Sequence, residues 1–545
     1  MLYFIPAWYQ QNKWCENEQY WYTRRTRTEF DDTVKHIQLF HRSKAYPFQI
    51  MLLSHAPNFR HFLHRQSVFH APYWSCFDAI QEVRRKKVKM FSFHNLNWPE
   101  NIEFIYSPFA LVAMLNGEKY AQVEFGEDGN LIQVDIYQKG IIQRRNIYDD
   151  RGFVSASIVF ENGLQVYQDY LTDSGVWKLR QYFTDGHVEV NPKAVSFLLI
   201  YQEKEYSRNF SKASYADMGQ VIKEVLDAYL ELTSPEDMFC VAVHELHNNM
   251  LHNSLNQRKM ILSFYGERYD IKNRMDGVIG LIHDAKYIIT DALDNLNRIQ
   301  RRVEQQLTNI TDITPFDSRV DLGISQQLTV QKILVPVDDI EDEWFEEIIK
   351  CLGDYLPNND KAQIHLFTRL ADYGRKKMLL EKTRTILQKN GMDPGWALEA
   401  DPGKVTENTL DTEEKVPVRF FVEQCVDELS VSKCIREQRL IVDMRKNSEI
   451  YLRITGISVG IPQIVYRDSQ FVEDGNNGFV IKNIAMLGGA IAYYLDNLKN
   501  WNEAMVYAYE ISKKYTTEVL IEKWKEVIDF VGDNSGITTG NRGLE

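Results

Sequence analysis

The chain has 545 residues, which is more than one hydrophobic core usually supports, so we expect two or three domains. Hydrophobic residues make up 44% of the chain and charged residues 26%, a composition that is typical of folded globular proteins and excludes an intrinsically disordered one. The formal net charge of −13 argues against a protein that coats nucleic acid, because phosphate binding needs a broad basic surface.

The cysteines and the apolar segments restrict the cellular compartment. The six cysteines lack C-x-x-C spacing, so the sequence predicts neither a disulfide framework nor a metal or cofactor site. The apolar N-terminus has no basic lead region, and no window approaches the roughly 20 apolar residues of a membrane span. We therefore predict a cytoplasmic protein. Basic runs at 24–27 and 84–89 would allow peripheral contact with the inner face of the cell membrane, although a solvated helix face is the simpler interpretation.

Segments typical of strands and helices alternate along the first 120 residues. The pattern predicts a strand at 2–8, an amphipathic helix at 29–42, a strand at 48–54 and the start of a helix at 73–81. Such alternation is typical of a parallel sheet covered by helices. We therefore assign these residues to the first part of a Rossmann-like domain.

The pattern changes between residues 121 and 192. Short runs rich in Val, Ile, Tyr and Phe are separated by dipeptides that suit hairpin turns, because glycine tolerates the positive φ that these turns need. These dipeptides are Asp128-Gly129, Lys139-Gly140, Arg151-Gly152, Asn162-Gly163, Ser174-Gly175 and Asp185-Gly186. The spacing predicts an inserted antiparallel β-meander.

The alternation of strands and helices returns after Pro192, lapses near Pro315 and Gly323, and resumes with a strand at 332–338. We place the linker at the lapse and expect a second Rossmann-like domain after it. The predicted segments are 1–120 and 193–322 for the first Rossmann-like domain, 121–192 for the β-meander, 323–505 for the second Rossmann-like domain, 506–531 for a C-terminal helix and 532–545 for a polar, disordered tail.

Three landmarks near the C-terminus carry a resemblance to a known family. They are the G-I-P-Q-I run at 460–464, the D-G-x-N-G-F turn at 474–479 and the last helix at 515–528. In this order they resemble the donor half of retaining glycosyltransferases of the B-type fold. The resemblance implies an α/β fold of two Rossmann-like domains, here with the β-meander inserted, and a last helix that crosses back onto the first domain.

The positions that bind the sugar nucleotide in that family are altered. The family holds its donor with two glutamates spaced E-x7-E, and counting back from Gly460 places Asn447 and Thr455 there. The family also carries an Arg and a Lys after the first strand of the second domain, where this chain has Asp338, Asp339, Glu341, Asp342 and Glu343. Anionic side chains repel a diphosphate, so we interpret these acids as the start of a helix and predict a degenerate donor site with no catalytic residue.

Several other residues are candidate contacts. Arg369, with Arg375 and Lys376, could bind phosphate, but we favour a surface role, and Glu449 could replace the first glutamate only after a shift of register. His244 and His247 have i, i+3 spacing that suits a metal, although the start of a helix is the better interpretation. Further candidate ligand or partner contacts are Arg467 and the turn-proximal aromatics Trp177, Tyr167 and Tyr170, for which sheet packing is the alternative.

The whole pattern narrows the resemblance. Two B-type domains with an inserted β-meander resemble the glycosyltransferase pair that modifies serine-rich-repeat adhesins of Gram-positive cocci. The opening at 3–40 is closer still to the family of the first accessory secretion protein of the accessory Sec system. That family implies a non-catalytic subunit that works with two other accessory secretion proteins, the glycosylated serine-rich-repeat adhesin and the accessory SecA motor. The alternatives are an active retaining glycosyltransferase with an unorthodox donor site and a scaffold at the membrane surface.

Overall fold

The computed structural model describes the chain except for residues 11, 17, 23–27, 90, 267, 272, 304–306, 322, 399–416 and 534–545. The predicted C-terminal tail and the basic run at 24–27 therefore lie, wholly or almost wholly, outside the described residues. The chain divides into two compact units. The first comprises Met1–Asp291, Asn295–Asp312 and Lys525–Glu545, and the second comprises Ala292–Asp294 and Ile313–Trp524.

The first unit opens with three parallel strands and three helices. These are β1 (Leu2–Ile5), β2 (Phe48–Leu52), β3 (Tyr73–Ser75), α1 (Asp32–Ser43), α2 (Phe59–Arg65) and α3 (Cys76–Ile80). The predicted helix start at 73–81 is partly wrong, since Tyr73 and Trp74 extend the sheet as β3. The helix begins only at Cys76, where the Ser75 hydroxyl accepts a hydrogen bond from the Asp78 N–H.

An antiparallel sheet of ten strands follows, in the order β15-β12-β11-β10-β9-β8-β7-β6-β5-β4, beside a separate β13–β14 hairpin. The strands are β4 (Ile102–Tyr106), β5 (Leu111–Leu115), β6 (Glu118–Phe125), β7 (Leu131–Gln138), β8 (Ile141–Asp149), β9 (Phe153–Glu161), β10 (Leu164–Leu171), β11 (Trp177–Tyr182), β12 (Val188–Val190), β13 (Ser196–Tyr201), β14 (Lys204–Asn209) and β15 (Ser214–Tyr215).

This sheet extends beyond both ends of the predicted range 121–192. At the N-terminal side the sheet has two further strands, β4 and β5, and the Asn116-Gly117 turn, with φ of 52° and 80°, connects β5 to β6. Asn-Gly is a strong hairpin signal, but the sequence analysis did not use it. At the C-terminal side the sheet adds β15, and the separate β13–β14 hairpin precedes it, with Gln202 and Glu203 in its turn at φ of 48° and 64°. Non-glycine residues rarely adopt positive φ, so this turn carries no sequence signal and its hairpin stayed hidden.

The remaining elements of the first unit complete its parallel sheet. They are α4 (Met218–Leu230), β16 (Met238–Ala242), α5 (Asn248–Leu255), β17 (Lys259–Phe264), α6 (Ile279–Asp284), β18 (Tyr287–Thr290), α7 (Leu293–Gln300) and β19 (Ile310–Asp312). The order β3-β2-β1-β16-β17-β18-β19 is that of a doubly wound Rossmann sheet, and it reverses direction between β1 and β16. All five residues of β16 are buried, as expected for a parallel strand covered on both faces.

The second unit contains a six-stranded parallel sheet in the order β22-β21-β20-β23-β24-β25, which reverses between β20 and β23. Its elements and the last helix are β20 (Gln331–Pro336), α8 (Asp342–Tyr355), β21 (Ala362–Thr368), α9 (Arg375–Lys389), β22 (Phe420–Gln424), α10 (Glu428–Arg436), β23 (Leu440–Asp443), α11 (Ile450–Val459), β24 (Gln463–Val465), β25 (Gly478–Val480), α12 (Leu487–Leu495), α13 (Leu498–Ser512) and α14 (Thr517–Asp533).

The end of α14, from Lys525 onward, belongs to the first unit, where the Phe530 ring packs edge-on against Tyr287 at 5.2 Å. Across the described part of the chain, none of the helices has the length and apolar character required to cross a bilayer.

A buried charge network attaches the antiparallel sheet to the parallel sheet of the first unit. The Arg151 guanidinium donates to Asp149 at 2.7 Å and to Asp78 at 2.7 and 2.9 Å. Arg60, from α2, donates to Asp150 at 2.5 Å and to Asp149 at 3.3 Å. The side chains of Arg151 and Asp149 are 3% and 1% exposed, so removing either partner would leave a buried charge unpaired.

We expect Arg151→Ala to lower the free energy of unfolding by about 3–5 kcal/mol, because it removes the main partner of the buried Asp149 carboxylate, to which Arg60 makes only one longer hydrogen bond of 3.3 Å. Urea denaturation measures this change. The matched control is Arg84→Ala, since Arg84 and its partner Glu205 are 60% and 52% exposed and their ion pair is worth at most about 1 kcal/mol. Equal unfolding midpoints for the two variants would contradict a structural role of the network.

Candidate functional site

Ligands of doubly wound sheets bind beyond the C-terminal ends of the strands, at the point where the strand order reverses. In the second unit this point lies between β20 and β23. The residues that follow these strands, from Val337 and from Met444, together with those after the neighbouring β21, form the candidate donor site.

Asp338 is buried and holds the ends of β20 and β21 together. Its carboxylate accepts hydrogen bonds from the Thr368 hydroxyl at 2.6 Å, the Arg369 N–H at 2.6 Å and the Arg375 guanidinium at 2.9 Å. The prediction that Asp338 starts a helix is therefore wrong, because α8 begins only at Asp342. The Asp338 carboxylate, which was expected to face and repel a diphosphate, is instead satisfied by three hydrogen-bond donors of the protein.

Acidic residues occupy the N-terminal end of α8, which follows the first strand of this sheet. Asp339 is exposed, with φ of 60°, and Glu341 and Asp342 form ion pairs with Lys446 at 2.8 Å and Lys382 at 2.5 Å. Related folds bind phosphate at this helix end because its N–H groups and dipole favour an anion. Here the protein's own carboxylates take that position.

Arg369 and Glu449 form an ion pair beside Asp338, with Nη1 and Oε1 2.6 Å apart. Their side chains are 15% and 27% exposed, so the predicted surface role of Arg369 is wrong, and Arg375 is largely buried too. Glu449 precedes the first residue of α11. Burial raises the pKa of Glu449, and the positive charges of Arg369 and Arg445 only partly oppose this effect.

Asp443 ends β23 and binds two arginines that the sequence analysis did not single out. Arg445 donates to both of its carboxylate oxygens at 2.8 and 2.9 Å, and Arg453 donates to it at 3.1 Å. Burial would raise the pKa of Asp443, but the two guanidinium groups outweigh it and the pKa is lowered. Three carboxylates therefore hold four arginines at this edge of the sheet.

The residues at the family's glutamate positions lie apart from this charge cluster. Thr455 is within α11, where its hydroxyl donates to the Tyr451 carbonyl at 2.7 Å, and Asn447 is exposed in the preceding loop. Gly460 ends α11 in the left-handed conformation, with φ of 79°, and Arg467 is exposed after β24. A hydroxyl that bonds its own helix cannot replace a carboxylate that grips a ribose.

In the first unit the strand order reverses between β1 and β16. Tyr9 follows β1, His244 and His247 follow β16, and the three rings lie against one another. His247 is buried, with Nε2 2.8 Å from the Ala242 carbonyl and Nδ1 2.8 Å from the Tyr9 hydroxyl. The carbonyl can only accept, so Nε2 carries the proton and Nδ1 accepts from Tyr9. His247 directly precedes α5, as the helix-start interpretation predicted, and both of its nitrogens are engaged.

The three candidate aromatics separate into two environments. Tyr170 is only 5% exposed and packs against His55 and Phe77, so its assignment as a contact residue is wrong. Tyr167 and Trp177 are partly exposed, and the Arg180 guanidinium lies 4.0 Å from the Tyr167 ring centre and 5.0 Å from that of Trp177. We call these three residues the Arg180 surface.

Burial and the nearby His244 lower the pKa of His247 to about 3. The unfolded chain then binds one more proton than the folded chain below about pH 6.5, so the stabilisation is complete above that pH and is lost as the pH falls toward 3. Wild type should therefore lose unfolding free energy when the pH is lowered from 7 to 5. We expect this loss to be about 2 kcal/mol smaller in His247→Gln, which has no imidazole to protonate. Urea denaturation at both pH values measures this. Exposed His94→Gln is the control and should follow wild type.

Comparison with known proteins agrees with this architecture. The pneumococcal O-GlcNAc transferase, solved in complex with UDP and GlcNAc, covers 98% of this chain and 99% of its own, with a TM-score of 0.67 and 11% identity. At this identity the likeness concerns the fold alone, and it confirms the predicted B-type glycosyltransferase fold with two Rossmann-like domains and an antiparallel sheet.

Two further comparisons are closer in sequence. A chain in the crystal structure of accessory secretory proteins 1, 2 and 3 of Streptococcus pneumoniae is 28% identical, with a TM-score of 0.77 over 97% of this chain and 99% of that one. A Streptococcus gordonii accessory Sec system protein is 34% identical over 542 residues, which span 97% of this chain and all of the relative. The family model of the same accessory Sec system protein, the first of the accessory secretory proteins, matches residues 1–530. The chain therefore belongs to this accessory Sec system family, as the resemblance in its sequence predicted.

Proposed function

We propose that this chain is a non-catalytic, glycosyltransferase-like subunit of the accessory Sec export complex. The observation that carries the proposal is the neutralised charge at the candidate donor site. Arg369 and Arg375 would be the natural ligands of a diphosphate, and each is paired with a carboxylate of the same unit. A diphosphate would have to displace Glu449 or Asp338, and the displaced carboxylate would lose its arginine.

The sugar-nucleotide side of the site supports the same conclusion. Transfer from a nucleotide donor needs positive charge or a metal ion to stabilise the departing diphosphate. The helix end that would face the phosphates carries Glu341, Asp342 and Glu343 instead. Neither Asn447 nor Thr455 supplies a carboxylate for the ribose hydroxyls. The framework of a transferase is thus retained without its donor-binding groups.

The partners follow from the family. The similar Streptococcus pneumoniae protein was solved together with accessory secretory proteins 2 and 3. We propose that this chain likewise binds the two other accessory secretion proteins, and that the complex passes a glycosylated serine-rich-repeat adhesin to the accessory SecA motor. This work would take place in the cytoplasm, at the inner face of the cell membrane.

The Arg180 surface is our candidate for contact with the glycosylated adhesin. Aromatic rings offer flat, amphipathic faces that suit the apolar faces of sugars, and a guanidinium donates hydrogen bonds to their hydroxyls. Arg180 is fixed by Asp169 through two hydrogen bonds of 2.7 and 3.0 Å, so its position is set before a ligand arrives.

The basic run at 84–89 is the candidate for membrane contact. Arg84 and Arg85 have acidic partners within the chain, Glu205 and Asp173, whereas Lys86 and Lys87 are exposed. Attraction to an anionic membrane surface would depend on these lysines and would weaken with salt.

An active transferase with an unorthodox donor site is the second candidate function. It is favoured by the position of Glu449, which lies two residues after Asn447 at the start of α11 and reaches the strand ends through Arg369. In that case Glu449 would bind the donor in place of the family's first glutamate, and Arg369 would bind the diphosphate.

Titration with UDP-GlcNAc separates the two functions. For a non-catalytic subunit we expect no saturation at about 1 mM nucleotide by calorimetry, which corresponds to binding weaker than about −4 kcal/mol. The pneumococcal O-GlcNAc transferase serves as the positive control. Saturable binding that disappears in Arg369→Ala and Glu449→Gln but persists in the exposed control Lys499→Ala would contradict the non-catalytic proposal and favour the active enzyme.

Pull-down of glycosylated adhesin tests the Arg180 surface. We expect Tyr167→Ala and Trp177→Ala each to weaken capture about tenfold, because truncation of an aromatic anchor costs more than about 1 kcal/mol. Tyr106→Ala is the matched control, since Tyr106 is 69% exposed and lies on β4, at the other edge of the same sheet. Binding of the other accessory secretion proteins should survive all three changes, and equal loss of adhesin in all three would argue against this surface.

A further inference from the structure

Three metal-ligating side chains meet at the end of β22, beside the end of β21. They are Glu423 on β22, Cys425 directly after it and Cys434 on α10, and their ligand atoms all lie within 4.8 Å of one another. The two cysteines are nine positions apart in the sequence, a spacing that does not suggest a metal site, and only the crossover from strand to helix brings them together.

The environment of Glu423 resembles the outer shell of a metal site. His365, on the adjacent β21, lies with Nδ1 2.7 Å from a carboxylate oxygen of Glu423 and is only 3% exposed. An ionised carboxylate cannot donate, so Nδ1 carries the proton and fixes the orientation of Glu423. Within the described residues the other ring nitrogen, Nε2, is buried and has no hydrogen-bond partner. Ligating carboxylates are commonly held by such second-shell hydrogen bonds.

A hydrogen bond with the Cys434 thiol lowers the pKa of Cys425. A bound metal ion would take both sulfur atoms as thiolates, and the protons of the two thiols would pass to the solvent. Two sulfur ligands at about 2.3 Å from a tetrahedral ion lie about 3.8 Å apart, which is compatible with ligand atoms that all lie within 4.8 Å of one another.

We propose that Glu423, Cys425 and Cys434 bind a soft divalent ion of the Zn²⁺ class, with His365 as a positioning residue. Two sulfur ligands select Zn²⁺ over Mg²⁺ or Ca²⁺, which prefer oxygen, and Zn²⁺ normally takes a fourth ligand that water can supply. The site is independent of the proposed binding function.

Its position gives the ion a structural role. The Cys425 N–H donates to the Thr368 carbonyl at 3.0 Å, and the Thr368 hydroxyl donates to Asp338 at 2.6 Å. An ion bound at Cys425 and Cys434 would fasten α10 to the end of β22 and, through Thr368, would hold the strand ends that carry Arg369. We therefore expect bound metal to raise the thermal midpoint of the full-length chain.

Metal analysis of the purified full-length chain tests the site. We expect about one equivalent of zinc per chain, and after removal with a chelator we expect Co²⁺ to give the near-ultraviolet charge-transfer band of cobalt bound to thiolate. Cys425→Ser and Cys434→Ser should abolish that band, and Glu423→Gln and His365→Gln should weaken Co²⁺ binding at least tenfold. Cys351→Ser, a partly exposed thiol outside the cluster, is the matched control and should bind like wild type.

Three results would overturn the proposal. The first is wild-type protein, reduced and folded by circular dichroism, that gives no thiolate band with Co²⁺. The second is metal binding that survives Cys425→Ser and Cys434→Ser together. The third is a Cys425–Cys434 disulfide, detected by mass spectrometry, in protein isolated under conditions that reduce its other thiols. If the cysteine variants fail to fold, Glu423→Gln decides, because unchanged Co²⁺ affinity in that variant rules out the proposed ligand set.

Discussion

The carboxylates of Asp338, Asp443 and Glu449 each hold at least one arginine at the edge where the strands of the second parallel sheet end. This pairing is a physical requirement, because a guanidinium that is taken out of water needs a nearby anion and satisfied hydrogen bonds. It also ties elements together, since Asp338 joins β20 to β21 and Asp443 joins β23 to α11 through Arg453. The charges that could have received a diphosphate are thus the charges that hold the strand ends in place.

In this unit the ion pairs that stabilise the strand ends also engage the arginines of the candidate donor site. In a working transferase, positive charge at the strand ends must be available to the leaving group. Here the acids that follow β20 either pair with an arginine, as Asp338 does, or lie in the first turn of α8, where negative charge favours the helix dipole.

The first unit uses buried charge for a different purpose. Arg151 and Arg60 share Asp149 and so join the antiparallel sheet to helices of the parallel sheet. This attachment keeps the inserted sheet, which carries the Arg180 surface, at a fixed place on its domain. At the point where the strand order of this unit reverses, the neutral His247 bridges the Tyr9 hydroxyl and the Ala242 carbonyl. Both of its ring nitrogens are therefore hydrogen-bonded. Sequence reasoning found this histidine through its place after an apolar strand, but the partner Tyr9 is 238 positions away.

The sequence by itself determined the alternation of strands and helices, the antiparallel insertion and the family, because apolar periodicity and glycine turns are local signals that need no knowledge of distant residues. It missed the β13–β14 hairpin, whose turn uses Gln202 and Glu203 at positive φ. Only the tertiary structure decided which charges pair, since Arg369 and Glu449 are 80 positions apart and Arg375 and Asp338 are 37 apart. Likewise, only the crossover between β22 and α10 brings Cys434 to Cys425 and Glu423. Ion pairs and ligand sets depend on distances between side chains. Folding sets those distances for residues that are far apart in the sequence, so no regular spacing in the sequence indicates them.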